Sequence, residues 1–322
     1  MAARDEAPEG RAHGWTVKSV IALALASLGW SLAPIFIRLC SADFDPFTQS
    51  FSRYASGSLM LAGICMVRWR AEFIQLLRQP QRLLGISILN VFMQYVWTAG
   101  CYGTPATTAQ LIVKLSILFV IVFAYLLFHE ERSVIRDWRF LGGTAIAMTG
   151  LIFVLMKDAQ SLIPVLDTSS LLLLVMSLSW AVYVVWGKHL AWTMHPVPMF
   201  GVLSIQTAIG LGLLSFLFGH PAQAMSVSAR VWIIAIVSGF ISIGLAHPAF
   251  QYAQRELGSA LCTALNLVNP LFTFLFSLVM LPNERMLPQQ WAGAAILLGG
   301  MGLVLRAANR RPPGNLAPAD PE

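Results

Sequence analysis

The feature that most constrains this chain is a succession of apolar runs, each long enough to cross a bilayer as a helix. The first run, from Ser19 to Ile37, contains no charged residue, and a membrane-spanning helix needs about 20 residues. Nine comparable runs follow, at 46–67, 83–103, 105–128, 138–156, 168–187, 196–219, 231–254, 258–281 and 288–305. The pattern predicts an all-α membrane protein with ten transmembrane helices, the first of them retained rather than cleaved as a signal peptide.

Composition excludes the soluble classes of protein. Hydrophobic residues make up 57% of the 322 residues and charged residues 11%, whereas a soluble domain carries about 25% charged residues. The mean hydropathy of +0.69 leads to the same conclusion. The net charge of +6 does not indicate a nucleic-acid partner, because the basic residues are spread between the apolar runs rather than gathered in one patch. We therefore expect the lipid bilayer as a partner and no nucleic acid.

The distribution of basic residues predicts that both termini lie in the cytoplasm. With ten spans in this orientation, fifteen Lys and Arg residues fall in cytoplasmic segments and only four in outer segments, namely Arg38, Lys157, Arg230 and Arg285. Cytoplasmic loops are enriched in Lys and Arg, which favours this orientation. No organelle signal is visible, so we expect a multi-pass protein of the cell inner (cytoplasmic) membrane.

An internal repeat divides the apolar runs into two sets of five. Ser27-Leu28-Gly29-Trp30 recurs as Ser177-Leu178-Ser179-Trp180. Four more matches keep an offset of about 150 residues: Arg38 with Lys188, Asp45-Pro46 with His195-Pro196, Glu131-Arg132 with Glu284-Arg285, and Gly143/Ala147 with Ala295/Gly299. Because each set has an odd number of helices, the second set enters the membrane upside down relative to the first. Inverted repeats of this kind are typical of secondary transporters that work by alternating access.

The repeat gives the domain organisation. We predict a cytoplasmic N-terminal tail at 1–18, a first five-helix repeat at 19–156, a linker at 157–167, a second repeat at 168–306 and a disordered cytoplasmic tail at 307–322.

The same residues resemble a known family. The opening of helix 1, Arg53 early in helix 2, and a Glu-Arg pair after helices 4 and 9, each followed by a Gly- and Ala-rich helix, are similar to the EamA-type repeat of ten-helix exporters in the drug/metabolite transporter superfamily. The resemblance covers roughly residues 19–306 and implies efflux of small metabolites such as amino acids. Family members often have a proline in the middle of helices 4 and 9. Here Pro270 is present but its counterpart is Ile117, which predicts a straighter helix 4.

Catalytic and metal-binding patterns are lacking. All fifteen Asp and Glu residues fall in loops or at the ends of the predicted helices, and the sequence contains no HExxH, GxSxG or P-loop motif. We therefore expect no enzyme activity, no catalytic residue, no cofactor and no metal site.

Lys114 is the sharpest indication of a binding site. It lies about ten residues from either end of helix 4, where a charge costs at least about 2.5–3.5 kcal/mol. Three roles are open: holding an anionic group of the substrate, being a neutral amine, or pairing with polar groups and a loop carboxylate. A purely structural lysine that reaches the interface is the alternative to all three. We favour the first role.

Further polar and aromatic residues share helix faces with such a site. Gln110 lies on the same face as Lys114, and Asn90 and Gln94 lie one turn apart on helix 3. Interhelical hydrogen bonding is the alternative for these amides. The remaining residues predicted to line the site are Trp180, Tyr183, His247 and Asn269. Core packing would also explain the aromatic residues, and His247 is either a packing residue or a proton carrier.

Three prolines inside apolar runs predict bends. Pro34, Pro248 and Pro270 each release a backbone carbonyl and bend the helix, so we predict hinge or gate positions there. Arg53 lies about two turns inside helix 2, and anchoring to Asp43, Asp45 or lipid headgroups is favoured over contact with substrate.

Together these features predict a secondary transporter that exports a small anionic or zwitterionic, amino-acid-like metabolite by alternating access. The absence of a carboxylate inside the spans argues against cationic drugs as substrates. An importer or exchanger of a phosphorylated or nucleotide-linked solute is less favoured, because a single intramembrane lysine suits a doubly charged ligand poorly. A non-transporting membrane interaction protein is the rival from another class. A coupling proton, and a monomer or a homodimer, stay open.

Overall fold

The computed structural model describes residues 16–155, 168–280 and 288–308, and within these ranges the chain is helical with no strand. The first matched half contains eight helices: α1 (Val17–Cys40), α2 (Pro46–Arg68), α3 (Arg70–Leu77), α4 (Gln81–Gly103), α5 (Ala106–Lys114), α6 (Ser116–Leu127), α7 (His129–Ile135) and α8 (Trp138–Leu155). The second half contains α9 (Thr168–Ala191), α10 (Pro196–Phe218), α11 (Ala229–Gly239), α12 (Ala246–Leu257), α13 (Ser259–Leu265), α14 (Asn269–Met280) and α15 (Pro288–Ala308).

Several of these helices are long and apolar enough to cross a membrane. Seven helical segments of the described chain meet this description: α1, α4, α5–α6, α9, α10, α11–α12 and α13–α14. The apolar stretches of α8 and α15 are shorter, at Trp138–Phe153 and Trp291–Ala307. Helix α2 has 23 residues, but four serines, a threonine, a glutamine and two arginines lower its hydropathy. The multi-pass, all-α class is confirmed, whereas the count of ten spans stays a prediction.

The two Pro-containing turns matched by the repeat have the same structural role. The Asp45 carboxylate accepts hydrogen bonds from the backbone N–H groups of Phe47 (2.9 Å) and Thr48 (3.0 Å), and so caps the N-terminus of α2. Burial raises the pKa of Asp45, but these hydrogen bonds and one from His220 outweigh it and hold the pKa below its usual value. His195 caps α10 in the same way through Nδ1, which accepts from Val197 N–H at 3.4 Å.

Two of the spans are broken in their middle, at matching places. The segment Ala106–Leu127 breaks at Leu115, where the N–H of Leu115 donates to the carbonyl of Ile112, three residues back, at 3.1 Å. The segment Ser259–Met280 passes through a 3₁₀ turn at Asn266–Val268 before Pro270. The expectation of a straighter helix 4 is therefore wrong. A break does not require proline when other groups bind the freed carbonyls, and the Ser177 hydroxyl donates to the Val113 carbonyl at 3.4 Å.

Helices α8 and α15 cross through glycines that approach each other closely. A Cβ atom at Gly143 would lie 2.7 Å from the Gly300 carbonyl oxygen, and one at Gly150 would lie 2.7 Å from that of Gly293. The contacts run in opposite directions along the two helices, so the helices are antiparallel. Gly293 and Gly300 also follow Gly143 and Gly150 by 150 residues. The repeat therefore relates the contact of Gly143 with Gly300 to that of Gly150 with Gly293, as expected of two inverted repeats that pack against each other.

One predicted match between these helices is displaced by one residue. Gly299 and Ala295 were expected to correspond to Gly143 and Ala147. A Cβ at Gly299 meets nothing within 4 Å, because Gly299 lies on the outer face of α15. The helix turns by 100° per residue, so a shift of one position moves the packing face from Gly299 to Gly300.

Valine at Gly300 should destabilise the fold, because its side chain would collide with the backbone of Ala147, whose N lies 2.4 Å from an added Cβ. Overpacking of this kind costs about 1–3 kcal/mol. The thermal unfolding midpoint of Gly300→Val in detergent, measured by tryptophan fluorescence, should fall by several degrees. Gly299→Val is the matched control and should unfold like the wild type. An equal loss in both variants would contradict the crossing geometry.

Candidate functional site

A cavity lies between the two matched halves where the broken spans meet. The volume that the centres of water molecules can occupy in it is about 70 Å³, which is room for several water molecules. Its walls are mostly apolar and aromatic, with several amides and two cationic side chains. The lining residues are Trp30, Ala33, Arg53, Gln94, Trp97, Gln110, Val113, Lys114, Ser116, Met176, Trp180, Ser242, Ile243, His247, Thr263, Asn266 and Asn269.

Lys114 is the last residue of α5, at the break of its span, and its side chain faces this cavity. The side-chain amide of Asn269 is oriented so that both its oxygen and its nitrogen have hydrogen-bond partners. The amide oxygen accepts from Lys114 Nζ and the amide nitrogen donates to the Asn266 carbonyl, each at 3.3 Å. The negative end of the α5 dipole favours a cation here. No carboxylate occurs among the described lining residues, so an ammonium at this position has only partial charges near it.

Gln110 binds the backbone group that Pro34 leaves free in α1. Pro34 has no N–H, so the carbonyl of Trp30, four residues earlier, loses its helical partner. The Gln110 side-chain amide donates to that carbonyl at 3.0 Å. Gln110 therefore lines the cavity and also satisfies the carbonyl that Pro34 releases, which joins α5 to α1.

The bend before Pro248 has a different form. Residues Phe240–Leu245 adopt a π-helix, and the N–H of Ala246 donates to the carbonyl of Ile241, five residues back. The Trp30 indole N–H donates to the Ser242 carbonyl of this π segment at 3.2 Å. Single π turns are frequent at functional sites, and this one places Ser242, Ile243 and the next turn of α12 in the cavity wall.

His247 lies in that next turn, enclosed by rings. It stacks on Phe200 with a centroid distance of 4.8 Å and meets Trp30 edge-on at 5.0 Å. Trp180 contacts Trp30 edge-on at 5.1 Å. Nδ1 of His247 has no hydrogen-bond partner among the described residues. The matched tryptophans and the histidine therefore form one aromatic wall of the cavity.

Of the eight residues predicted to line a binding site, six lie in the wall of this cavity: Gln94, Gln110, Lys114, Trp180, His247 and Asn269. Asn90 and Tyr183 do not. Asn90 is fully buried and donates to the Tyr54 hydroxyl and to Thr207 Oγ1, each at 3.0 Å, so it joins α4 to α2 and α10. Tyr183 is also fully buried and lies behind Trp180, on which it stacks at 5.5 Å.

Arg53 is the cavity residue whose role was misjudged. The expectation of an anchor to Asp43, Asp45 or headgroups is wrong, because Arg53 is only 2% exposed and lines the cavity. Its Nε donates to Ser238 Oγ at 2.9 Å. The neighbouring Gly239 allows α2 to approach helix α11, since a Cβ there would lie 2.3 Å from the Arg53 carbonyl oxygen. A polar stripe on α2, from Gln49 to Ser56, is the sequence signal that could have indicated a buried face.

Beyond one end of the cavity, a buried ion pair joins the two halves. The Glu131 carboxylate of α7 pairs with Lys188 Nζ of α9, and both side chains are 3% exposed or less. The same carboxylate accepts from the N–H groups of Ser259 (2.8 Å) and Ala260 (2.7 Å) at the start of α13. Thr263, one turn further along α13, lines the cavity. The cavity is therefore closed at the end where Glu131 lies.

Comparison with known proteins identifies the family. The profile of the EamA-like transporter family matches this chain twice, over residues 17–156 and 167–306. This chain belongs to the EamA-like transporter family. It is a multi-pass membrane protein of a family of transporters, and a duplicated family domain agrees with the reciprocal α8–α15 crossing.

Relatives extend the similarity over most of the chain. An uncharacterized transporter of Haemophilus influenzae is 23% identical over 90% of this chain and 97% of its own length. An uncharacterized transporter of Archaeoglobus fulgidus is 25% identical over 83% and 90% of the two chains. A solved crystal structure with 18% identity superposes with a TM-score of 0.74 and covers 92% of this chain, which shows the shared fold.

The cavity of this EamA-like transporter should admit water, whereas its outer surface faces lipid. Met176 lines the cavity, and its neighbour Val175 is 43% exposed on the outer face of α9. Because thiolates react and a thiol in lipid does not ionise, a charged thiosulfonate reagent should label Met176→Cys far faster than Val175→Cys in vesicles. All four native cysteines are buried, so wild type gives the background. Equal rates for the two variants would contradict the assignment of the cavity.

Proposed function

We propose that this EamA-like protein is a secondary transporter that exports a small anionic or zwitterionic, amino-acid-like metabolite across the cytoplasmic membrane. The observation that carries the proposal is Lys114 at the break of its span. Its ammonium faces the cavity and has an amide oxygen as its hydrogen-bond partner. A cation within a membrane span without a counterion is costly, and an anionic group of the solute would remove that cost.

The other lining residues suit the remainder of such a solute. Gln94, Gln110 and Asn269 offer amide groups, while Trp180 and His247 offer an apolar and aromatic surface. In this proposal Asn90 and Tyr183 hold these side chains from behind rather than touch the solute. Pro34, Pro248 and Pro270 are the proposed hinges, because each proline lacks the N–H that would complete the helical hydrogen bonding of its span near the cavity.

Alternating access gives the ion pair of Glu131 and Lys188 a second role. With the termini in the cytoplasm and ten spans as two inverted repeats, this pair lies at the cytoplasmic end, and the cavity occupies the middle and outer part of the bundle. The structure would then be closed towards the cytoplasm. Opening on that side requires α7 to separate from α9 and α13, which breaks the contacts of the Glu131 carboxylate.

Neither a coupling proton nor a particular oligomer is needed for this proposal. His247 in the cavity wall is the titratable group through which a proton would be coupled. Monomer and homodimer are both compatible with a cavity formed within one chain.

Lys114→Met should strongly reduce carrier activity while leaving the fold intact. Solute counterflow in proteoliposomes, with a panel of acidic, zwitterionic, aromatic and basic metabolites, should show flux of an anionic or zwitterionic solute in wild type. Because the methionine keeps the length of the side chain but not its charge, that flux should fall at least about tenfold, as expected when a charged hydrogen bond to the solute is lost.

Lys18→Met is the matched control, since Lys18 is exposed at the start of α1, and it should transport like wild type. Undiminished flux in Lys114→Met would return Lys114 to a structural role. A complete lack of flux across the panel in wild type would favour a non-transporting membrane protein.

A further inference from the structure

The cavity contains a second cation that the proposed role of Lys114 does not use. Arg53 lies on α2 and Lys114 on α5, so the two charges come from different helices that line the same cavity. Arginine is charged at any physiological pH. The cavity therefore holds at least one permanent positive charge in addition to that of Lys114.

Arg53 has much unused hydrogen-bonding capacity. A guanidinium has five N–H donors, and in the described part of the chain the one hydrogen bond from this side chain is that of Nε to Ser238 Oγ, at 2.9 Å. Arg53 is only 2% exposed, so its guanidinium does not reach lipid headgroups. The bond to Ser238 holds the Nε edge in place, so the two terminal nitrogens are left to bind an acceptor in the cavity.

The described side chains supply no charge to balance these two cations. The cavity lining contains amides, hydroxyls, aromatic rings and His247, but no carboxylate. The buried carboxylate of Glu131 lies outside the cavity, where it is bonded to Lys188 and to the start of α13. An anion from solution is therefore the natural counterion for each cation.

Resting on the proposed function, we propose that the transported solute carries two separated acidic groups, one bound by Lys114 and the other by Arg53. A monoanion would leave one buried cation unpaired, which is the costly state. The planar fork of the guanidinium matches a carboxylate in two hydrogen bonds, whereas the ammonium acts as a point charge. The solute class that fits is a short organic dicarboxylate whose carbon chain lies against the tryptophan walls.

A doubly charged ligand was disfavoured because the sequence shows a single lysine inside the spans and places Arg53 near a surface. The structure brings Arg53 into the cavity, so the positive charge available to a solute is twice what the sequence suggested.

Counterflow with matched pairs of solutes tests the proposal. Purified wild type, Arg53→Gln and Lys114→Met would be reconstituted, and each α,ω-dicarboxylate of three to six carbons compared with the monocarboxylate of equal length. Wild type should carry the best diacid at least about tenfold more efficiently than its monoacid, since one charge-assisted contact is at stake. Arg53→Gln should remove this preference by lowering diacid flux far more than monoacid flux. Arg230→Gln, a substitution of an exposed arginine, should leave both fluxes unchanged.

The outcomes separate the inference from the proposed function. If wild type carries neither these acids nor any acidic or zwitterionic solute of the first panel, the proposed function fails. If it carries zwitterions but none of these acids, only the two-group inference is overturned. If wild type carries monoacids as efficiently as diacids, the two-group inference is overturned and the transporter proposal stands. The same holds if it prefers a phosphate monoester, which has both charges on one group. An unchanged preference in Arg53→Gln also overturns it.

A second variant covers loss of the fold. If Arg53→Gln is not recovered as a monodisperse protein, Arg53→Lys keeps the charge but not the fork. It should lower the diacid preference several-fold, because the bidentate contact is lost. An unaltered preference in that variant would equally overturn the role of Arg53.

Discussion

The rest of this structure depends on how the backbone groups freed at bent and broken helices find partners inside a membrane. Water is absent from the hydrocarbon core, so every released carbonyl must be satisfied by the protein or by a water-filled cavity. The Trp30 carbonyl released by Pro34 accepts from Gln110, the Ser242 carbonyl of the π segment accepts from Trp30, and the Asn266 carbonyl before Pro270 accepts from Asn269. The side chains that satisfy the bends are thus the same ones that line the cavity. This is why a bundle with bent spans also carries a polar site at its centre.

Much of this site could be predicted from the sequence, and the exceptions have physical reasons. Lys114 stands out because a charge in the middle of an apolar run has few acceptable positions, and the matched tryptophans are fixed by the repeat. The break at Leu115 is not visible, because it arises from contacts with the other half, such as that of Ser177, and not from a local residue preference. Arg53 was misplaced because depth along a helix can be counted in the sequence, but the direction in which the side chain points depends on packing against Ser238 and Gly239.

The arrangement of charge divides the molecule into a closed end and an open centre. At the closed end, Glu131 of the first half is bonded to Lys188, Ser259 and Ala260 of the second half. The adjacent Gly258 adopts a φ of 94° that favours glycine and lets the chain turn against the carboxylate. At the centre, Arg53 and Lys114 have few partners. The paired charges join the two halves, and the cations with few partners are those proposed to bind the solute. A carrier needs both, because the solute must be bound before the closure on one side is released.

The most direct test of this account asks whether the end that holds Glu131 opens. Spin labels at the exposed residues Ser133 of α7 and Thr193 after α9 would report the separation of the two halves in lipid by double electron–electron resonance, in a background without native cysteines. The account predicts two distance populations, with the longer one enriched by Glu131→Gln, since the substitution weakens the contacts to Lys188 and α13. A single distance population, the same with and without Glu131→Gln, would contradict alternating access through this closure.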